Sequence, residues 1–147
     1  MVDIVRLTEE LTQDPLGRGY SAMTDQQVAD SLNANTRQRA VPITADAVKR
    51  YLFVNNIWLS IKNGTDIVAE SARDALEMFD QFHVEEPEVA QTVQDLLTAL
   101  VAAGHITETN KQDVLGMGIN FQSRAQELGL LGGSTEIGPA HVAKARA

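Results

Sequence analysis

The side chains that most often carry out metal chemistry are scattered along this chain. Its three histidines, His83, His105 and His141, lie far apart, and none is three or four residues from another. A two-histidine zinc site needs both imidazoles on one helical face. The alternation of acids around a glycine that forms a calcium loop is also missing. We therefore predict no metal site and no cofactor.

Nucleophilic catalysis is equally hard to assign. The chain has no cysteine, and Ser60, Ser71, Ser123 and Ser134 stand outside any GxSxG turn. The spacing of serines and histidines indicates no dyad. Carboxylates on the predicted helix 65–81 recur every four residues, as ordinary surface neighbours do. We therefore predict that the protein is not an enzyme, and keep a hydrolase only as a residual hypothesis.

The segment DPLGRGY, residues 14–20, places a glycine on each side of Arg18. Backbone amides and the arginine charge could hold a phosphate, but the loop lacks the strand and the spacing of a phosphate-binding motif. The favoured alternative is a tight turn between helices, with the glycines at positive φ. In that turn Leu16 and Tyr20 are expected to fold back as core anchors.

Charge is the most unevenly distributed property of the chain. The total is −8, and residues 66–95 alone hold nine acidic side chains and one arginine, a net −8. Residues 36–62 hold five basic side chains and one acid, a net +4. Such polarity can orient a partner or steer copies head to tail, although solvated helix faces would look the same. We predict Arg37, Arg39 and Trp58 as partner-binding residues, because arginine and tryptophan are enriched in interfaces.

The elements that must position these residues are helical. Apolar residues recur at helical spacing, most clearly over residues 65–81, where Phe79 is placed on the apolar face. Helix caps are predicted at Thr24, Thr44, Thr107 and Ser123. The pattern predicts an all-α fold, a single compact domain over residues 1–147 with about eight short helices. One of them is placed at residues 121–128, and extended pairing is expected only near residues 39–41 and 136–137.

Length and composition agree with one globular domain. The chain has 147 residues, of which 44% are apolar, enough for one hydrophobic core. The acidic balance makes nucleic-acid binding an unfavoured function. A helix, a turn at Gly104 and a second helix superficially resemble a helix-turn-helix, but the second helix offers only Lys111 against Glu108 and Asp113.

No targeting segment is expected. The first 15 residues lack the basic and apolar regions of a secretory signal, and no run of 18 apolar residues occurs. We therefore expect that the protein is made in a cytoplasm and does not associate with a membrane.

Both ends of the chain resemble a known kind of protein. DPLGRGY at residues 14–20 followed by MTDQQVADSLN at 23–33, and SRAQELGL at 123–130 followed by Ile137 and HVAKAR at 141–146, are similar to small uncharacterised proteins of tailed bacteriophages and prophages. The matched segments cover about a quarter of the chain. The resemblance implies a phage product made in the bacterial cytoplasm and transfers no catalytic residue.

Two functions follow as hypotheses. The first is a non-enzymatic structural or assembly protein located in the virion, which contacts other phage structural proteins or itself, as a homo-oligomer within an assembly. The alternative is a small intracellular phage regulator that binds DNA or a host protein through residues 37–58.

Overall fold

Helices make up most of the chain in the computed structural model, which describes residues 1–147. The nine α-helices are α1 Ile4–Gln13, α2 Asp25–Asn33, α3 Ala45–Val54, α4 Trp58–Asn63, α5 Ile67–Met78, α6 Pro87–Ala102, α7 Glu108–Gly116, α8 Arg124–Glu127 and α9 Pro139–Arg146. A 3-10 turn covers Tyr20–Ala22. Four short strands complete the structure: β1 Arg37–Ala40, β2 Ile43–Thr44, β3 Gln81–Phe82 and β4 Ile119–Gln122. They form two two-stranded sheets, β1 with β4 and β2 with β3.

The helix starts follow the capping signals of the sequence. The predicted caps are confirmed: Thr24, Thr44, Thr107 and Ser123 each accept a hydrogen bond of 3.1–3.2 Å from the amide three residues later. Each bond satisfies one of the amide groups that a helix leaves unpaired at its start. These local interactions explain why the helices begin where the sequence predicts.

The prediction of an all-α fold holds only as a mostly helical one. The sequence placed a helix over residues 65–81, but α5 ends at Met78 and Phe79 has an extended backbone. The chain can then pair Gln81 and Phe82 with Thr44 and Ile43 in an antiparallel sheet. Strands of two residues are too short to show an alternating pattern, so periodicity could not reveal them.

Two further sequence expectations need correction. Phe121 lies in strand β4 instead of opening a helix, and α8 starts only after the Ser123 cap. Residues 136–137 form no strand. Ile137 instead exchanges two hydrogen bonds with the side-chain amide of Asn33, at 2.7 and 2.8 Å, which satisfies its backbone as a neighbouring strand would.

Contacts along the chain group its residues into two compact units. Unit 1 contains residues 1–38 and 121–147, and unit 2 contains residues 39–120. Each unit has its own cluster of buried apolar side chains. The single domain over residues 1–147 therefore stays a prediction.

Unit 1 is built from the two ends of the chain. Helices α1 and α2 pack on α9, and α2 also packs on α8. The most deeply buried side chains of its core include Leu7, Tyr20, Val28, Leu32, Leu130, Ile137 and Val142.

Unit 2 packs α3 to α7 around a second core. Its buried side chains include Ile43, Val48, Leu52, Ile61, Ala72, Leu76, Leu97, Leu100 and Val114. Helices α3 and α5 run in opposite directions between two ends of this unit, which we name by the elements found there. At what we call the β end, the amide of Ala45 donates to the carbonyl of Asp80, 2.8 Å away, so that α3 starts where α5 has just finished. At the α4 end, α3 leads into α4 through a short turn, and α4 leads into α5.

No helix of the structure has both the length and the apolar character that crossing a membrane requires.

Candidate functional site

The three predicted partner-binding residues have different environments. Arg37 lies on β1, and its Nε donates to Oε2 of Glu127 at 2.9 Å. This hydrogen bond is the main reason why the pKa of Glu127 lies below its ordinary value. Arg39 is exposed on the same strand. Trp58 begins α4 and is half-buried against the core of unit 2. A partner contact at these residues stays a prediction, and Arg37 already has a partner within unit 1.

The glycine-rich loop at residues 14–20 forms a tight turn. The carboxylate of Asp14 accepts hydrogen bonds from the amides of Arg18 and Gly19, at 2.8 and 2.7 Å. Partial desolvation opposes them, but these bonds prevail and lower the pKa of Asp14. Gly19 has a φ of 78°, as the turn prediction requires. Tyr20 is buried as predicted, whereas the prediction that Leu16 is a core anchor is wrong, since its side chain is exposed.

A buried polar cluster in unit 1 joins the two segments that carry the phage resemblance. Glu10 and Arg124 are only 5% and 8% exposed, and the guanidinium of Arg124 donates to both carboxylate oxygens of Glu10, at 2.9 and 3.0 Å. The hydroxyl of Tyr20 donates to the same carboxylate at 3.0 Å. Arg124 also pairs with Glu127.

The cluster gives the matched motifs a structural explanation. Tyr20 belongs to DPLGRGY, and Arg124 and Glu127 belong to SRAQELGL. Each guanidinium nitrogen of Arg124 and each carboxylate oxygen of Glu10 makes at least one hydrogen bond within the cluster, as buried charges require. The terminal motifs therefore supply contacts that hold unit 1 together.

A serine, a histidine and an aspartate meet in unit 2, although their spacing in the sequence indicated no dyad. Ser60 Oγ lies 2.8 Å from Nδ1 of His105, and Nε2 of His105 lies 2.7 Å from Oδ1 of Asp66. The spacing of serines and histidines in the sequence gave no indication of this contact. No local signal could have revealed the contact, because α5, β3 and α6 separate Ser60 from His105 along the chain.

The surroundings of this trio indicate a structural clamp. The other carboxylate oxygen of Asp66 caps α5 by accepting from the amide of Ala69 at 3.1 Å. The imidazole of His105 is largely buried, and a Cβ built on Gly64 would stand 3.0 Å from its Cε1. A reacting group therefore has little room on that side. The hydrogen bond that the Asp66 carboxylate makes with Nε2 of His105 is also the main reason that the pKa of Asp66 is lowered. The trio ties α4 to the start of α5.

Exposed apolar side chains form a more promising site. At the α4 end, Phe53 and Val54 are each 74% exposed and Leu59 is 67% exposed. We call these three residues the α4-end patch. They belong to one segment with a tight turn, in which the amide of Ile57 donates to the carbonyl of Leu52 at 2.8 Å. The predicted contact residue Trp58 immediately precedes Leu59 in the same segment.

A second exposed apolar surface lies at the β end. Met78, the last residue of α5, is 72% exposed, and Phe79, whose backbone is extended after the helix, is 50% exposed. The sequence wrongly placed Phe79 on the buried face of a longer helix. The ring centroids of Phe79 and Phe82 are 5.9 Å apart. Both rings line an open groove of about 420 Å³ between the end of α5, β3 and the start of α6.

The groove combines an apolar floor with an acidic rim. Its apolar lining includes Phe79, Phe82, Val89, Val93 and Leu96, and its rim includes Glu86 and Glu88. We call this surface the β-end groove.

Beside the groove, Nδ1 of His83 lies 2.8 Å from Glu85. This contact is the main cause of the lowered pKa of Glu85.

The two surfaces carry opposite charge. Residues 47–65, which contain the α4-end patch, hold three cationic side chains and no acidic one, although Lys49 lines a cleft with Phe79 and Asp80 at the β end. Residues 74–88, which form much of the β-end groove, hold six acidic side chains and no lysine or arginine. The segment that carries the α4-end patch is thus net basic, and the segment that forms much of the β-end groove is net acidic.

Comparison with known proteins adds no assignment. No protein-family model matches the chain, and neither a curated protein nor a solved structure matches it.

Proposed function

We propose that the protein is a non-enzymatic structural or assembly protein of a tailed bacteriophage, made in the host cytoplasm and incorporated in the virion. It contacts copies of itself or another virion protein. The observation that carries the proposal is the pair of exposed apolar surfaces on unit 2, the α4-end patch and the β-end groove.

Energetics support a partner for these surfaces. Burying one large apolar side chain is worth about 1.5–3 kcal/mol relative to leaving it in water. Phe53, Val54, Leu59, Met78 and Phe79 are all at least half exposed in the single chain. Exposed apolar side chains with charged neighbours are typical of a protein-binding site. An assembly would bury the side chains that the single chain leaves exposed.

The resemblance of the chain ends to phage proteins supports the phage context. The buried cluster around Arg124 gives a reason why related proteins would share these end segments. Residues that fold a unit can be shared without a shared ligand.

The test is to locate the protein in particles. Purified virions of the phage or induced prophage that encodes the chain are digested and quantified by mass spectrometry, together with assembly intermediates. We expect the chain in several copies per particle, in a fixed ratio to known capsid or tail proteins. Its absence from virions and from intermediates would overturn the proposal.

The alternative function, a regulator that binds DNA through residues 37–58, has weaker support. Two of the arginines in that segment are already paired, Arg37 with Glu127 and Arg50 with Asp46. On the helix-turn-helix-like pair α6–α7, Lys111 is only 11% exposed and lies 3.7 Å from Glu108. Few cations are left to neutralise phosphates, and phosphate contacts supply most of the affinity of such proteins. A mobility-shift assay at low salt with Arg39→Ala as the comparison tests this alternative.

A further inference from the structure

We propose that the protein associates with itself head to tail, with the α4-end patch of one copy seated in the β-end groove of the next. The inference deepens the proposed function, on which it rests, by naming a second copy of the chain as the partner of both surfaces.

Shape is the first argument. The β-end groove, about 420 Å³, is within the range of clefts that hold small organic groups. Its floor is made of aromatic and branched side chains, which favour an apolar occupant. At the α4 end, Phe53 projects from the last turn of α3 with three quarters of its surface in water. An exposed aromatic ring beside other apolar side chains is the kind of anchor that fills such a groove.

Charge is the second argument, and it selects the orientation. Lys62 lies one helical turn from Leu59, and Arg50, which is paired with the exposed carboxylate of Asp46, lies one turn from Val54, so cations flank the α4-end patch. Glu86 and Glu88 stand on the rim of the groove, and Asp80 lies next to Phe79. Patch-to-groove contact brings opposite charges together. Groove-to-groove contact would bring like charges together, which costs free energy and suppresses that pairing.

Geometry is the third argument. The two surfaces lie at opposite ends of α3, whose ten residues span about 15 Å. One copy can therefore use both surfaces at once. A contact between two different surfaces of identical subunits is heterologous, and repetition of it produces a ring or a filament. Each copy supplies one patch and one groove. In such an array every patch and every groove is therefore occupied, except those at the open ends.

The experiment uses two complementary variants of the full-length chain. Phe53→Asp removes the patch but keeps the groove, and Phe79→Asp damages the groove but keeps the patch. Both positions are exposed, so folding is expected to be unchanged, which far-UV circular dichroism and thermal unfolding check. Val5→Asp is the matched control, because Val5 is an exposed apolar residue of unit 1, 71% exposed. Mass is measured by sedimentation equilibrium across a wide range of protein concentrations.

The proposal predicts a specific pattern. The wild-type chain and Val5→Asp increase in average mass with concentration, while each Phe variant alone stays a monomer. An equimolar mixture of the two Phe variants forms a one-to-one dimer and nothing larger, because one intact patch meets one intact groove. Raising the salt from about 0.05 to 0.5 M is expected to weaken the dimer about tenfold, since screening acts on the flanking charges.

Three results would overturn the inference. A wild-type chain that stays monomeric at the highest concentration removes self-association, and detection of the chain in virions would still support the proposed function. Phe variants that associate like the wild type place the interface elsewhere. Loss of association in both variants without rescue in the mixture indicates a symmetric contact instead of a head-to-tail one.

Discussion

Arg124 is the residue at which the polar interactions of unit 1 converge. Its guanidinium donates to Glu10 through two nitrogens and pairs with Glu127. The hydrogen bonds to Glu10 are the main reason that the pKa of Arg124 is raised above its ordinary value. Removing one member of a buried ion pair leaves an uncompensated charge in a poorly solvated site. The contribution of this cluster is therefore best measured by comparing single and double variants.

We expect Arg124→Met to lower the free energy of unfolding by about 3–5 kcal/mol, because Glu10 stays buried without its cation. The double variant Arg124→Met with Glu10→Met is expected to be more stable than the single one, since no charge remains unpaired. Arg50→Ala, which breaks the exposed pair with Asp46, is the control and should cost less than about 1 kcal/mol. Urea denaturation measures all three, and equal losses in the single and double variants would contradict the argument.

Tyr20 makes the same cluster sensitive to alkaline pH. Burial, followed by the charge of Glu10, raises the pKa of Tyr20 to about 12. The folded-state pKa is above the ordinary value of about 10, so this stabilisation is complete below pH 10 and is lost as the pH rises towards 12.

We expect the free energy of unfolding to fall between about pH 10 and 12, and to fall less steeply in Tyr20→Phe, which has no phenol to ionise. Urea midpoints at several pH values measure the slope. Tyr51→Phe should retain the part of the slope due to Tyr20, and an unchanged slope in Tyr20→Phe would show that another group causes it.

Helix α4 shows how a short element is held in place by contacts from distant sequence. It has six residues, too few for a stable isolated helix. Arg73 of α5 donates to the carbonyls of Ile61 and Gly64, at 2.6 and 2.8 Å, and His105 bridges Ser60 to Asp66. These long-range bonds position the segment that carries Leu59 and follows Phe53.

His105→Ala is expected to cost about 1–3 kcal/mol, the range for two hydrogen bonds in a largely buried site. His83→Ala is a matched control, because His83 is exposed and its contact with Glu85 lies at the surface, where such pairs contribute less than about 1 kcal/mol. Thermal and urea unfolding compare the two variants. Equal effects would mean that the Ser60–His105–Asp66 trio does not stabilise α4.

At the scale of elements, the sequence predicted the helices and their starts well, but it did not predict the β-end groove. Caps such as Thr24 and Thr107 act within three residues, so their sequence signals are local. The end of α5 at Met78 depends on pairing with Ile43 and Thr44, far away in the sequence, and periodicity therefore placed Phe79 on the wrong face. The charge polarity was visible in the sequence, but the groove beside Phe79 was not, because three separate elements form it.

At the scale of the whole molecule, both exposed apolar surfaces belong to unit 2. Residues 39–120 carry the α4-end patch and the β-end groove. This unit is continuous in sequence and has its own buried core. Unit 1, in contrast, needs both ends of the chain. The two units therefore differ in whether they can be tested alone.

We expect a fragment of residues 39–120 to fold by itself, because its core and helix caps lie within the fragment. Far-UV circular dichroism should show a helical spectrum and a cooperative thermal transition.

Since both surfaces lie in this unit, the fragment should also increase in mass with concentration as the full chain does, and Phe53→Asp should abolish that increase. An unfolded fragment would instead favour one domain over residues 1–147, in which the core of unit 2 depends on the chain ends for stability. A folded fragment that stays monomeric while the full chain associates would place the interface in unit 1.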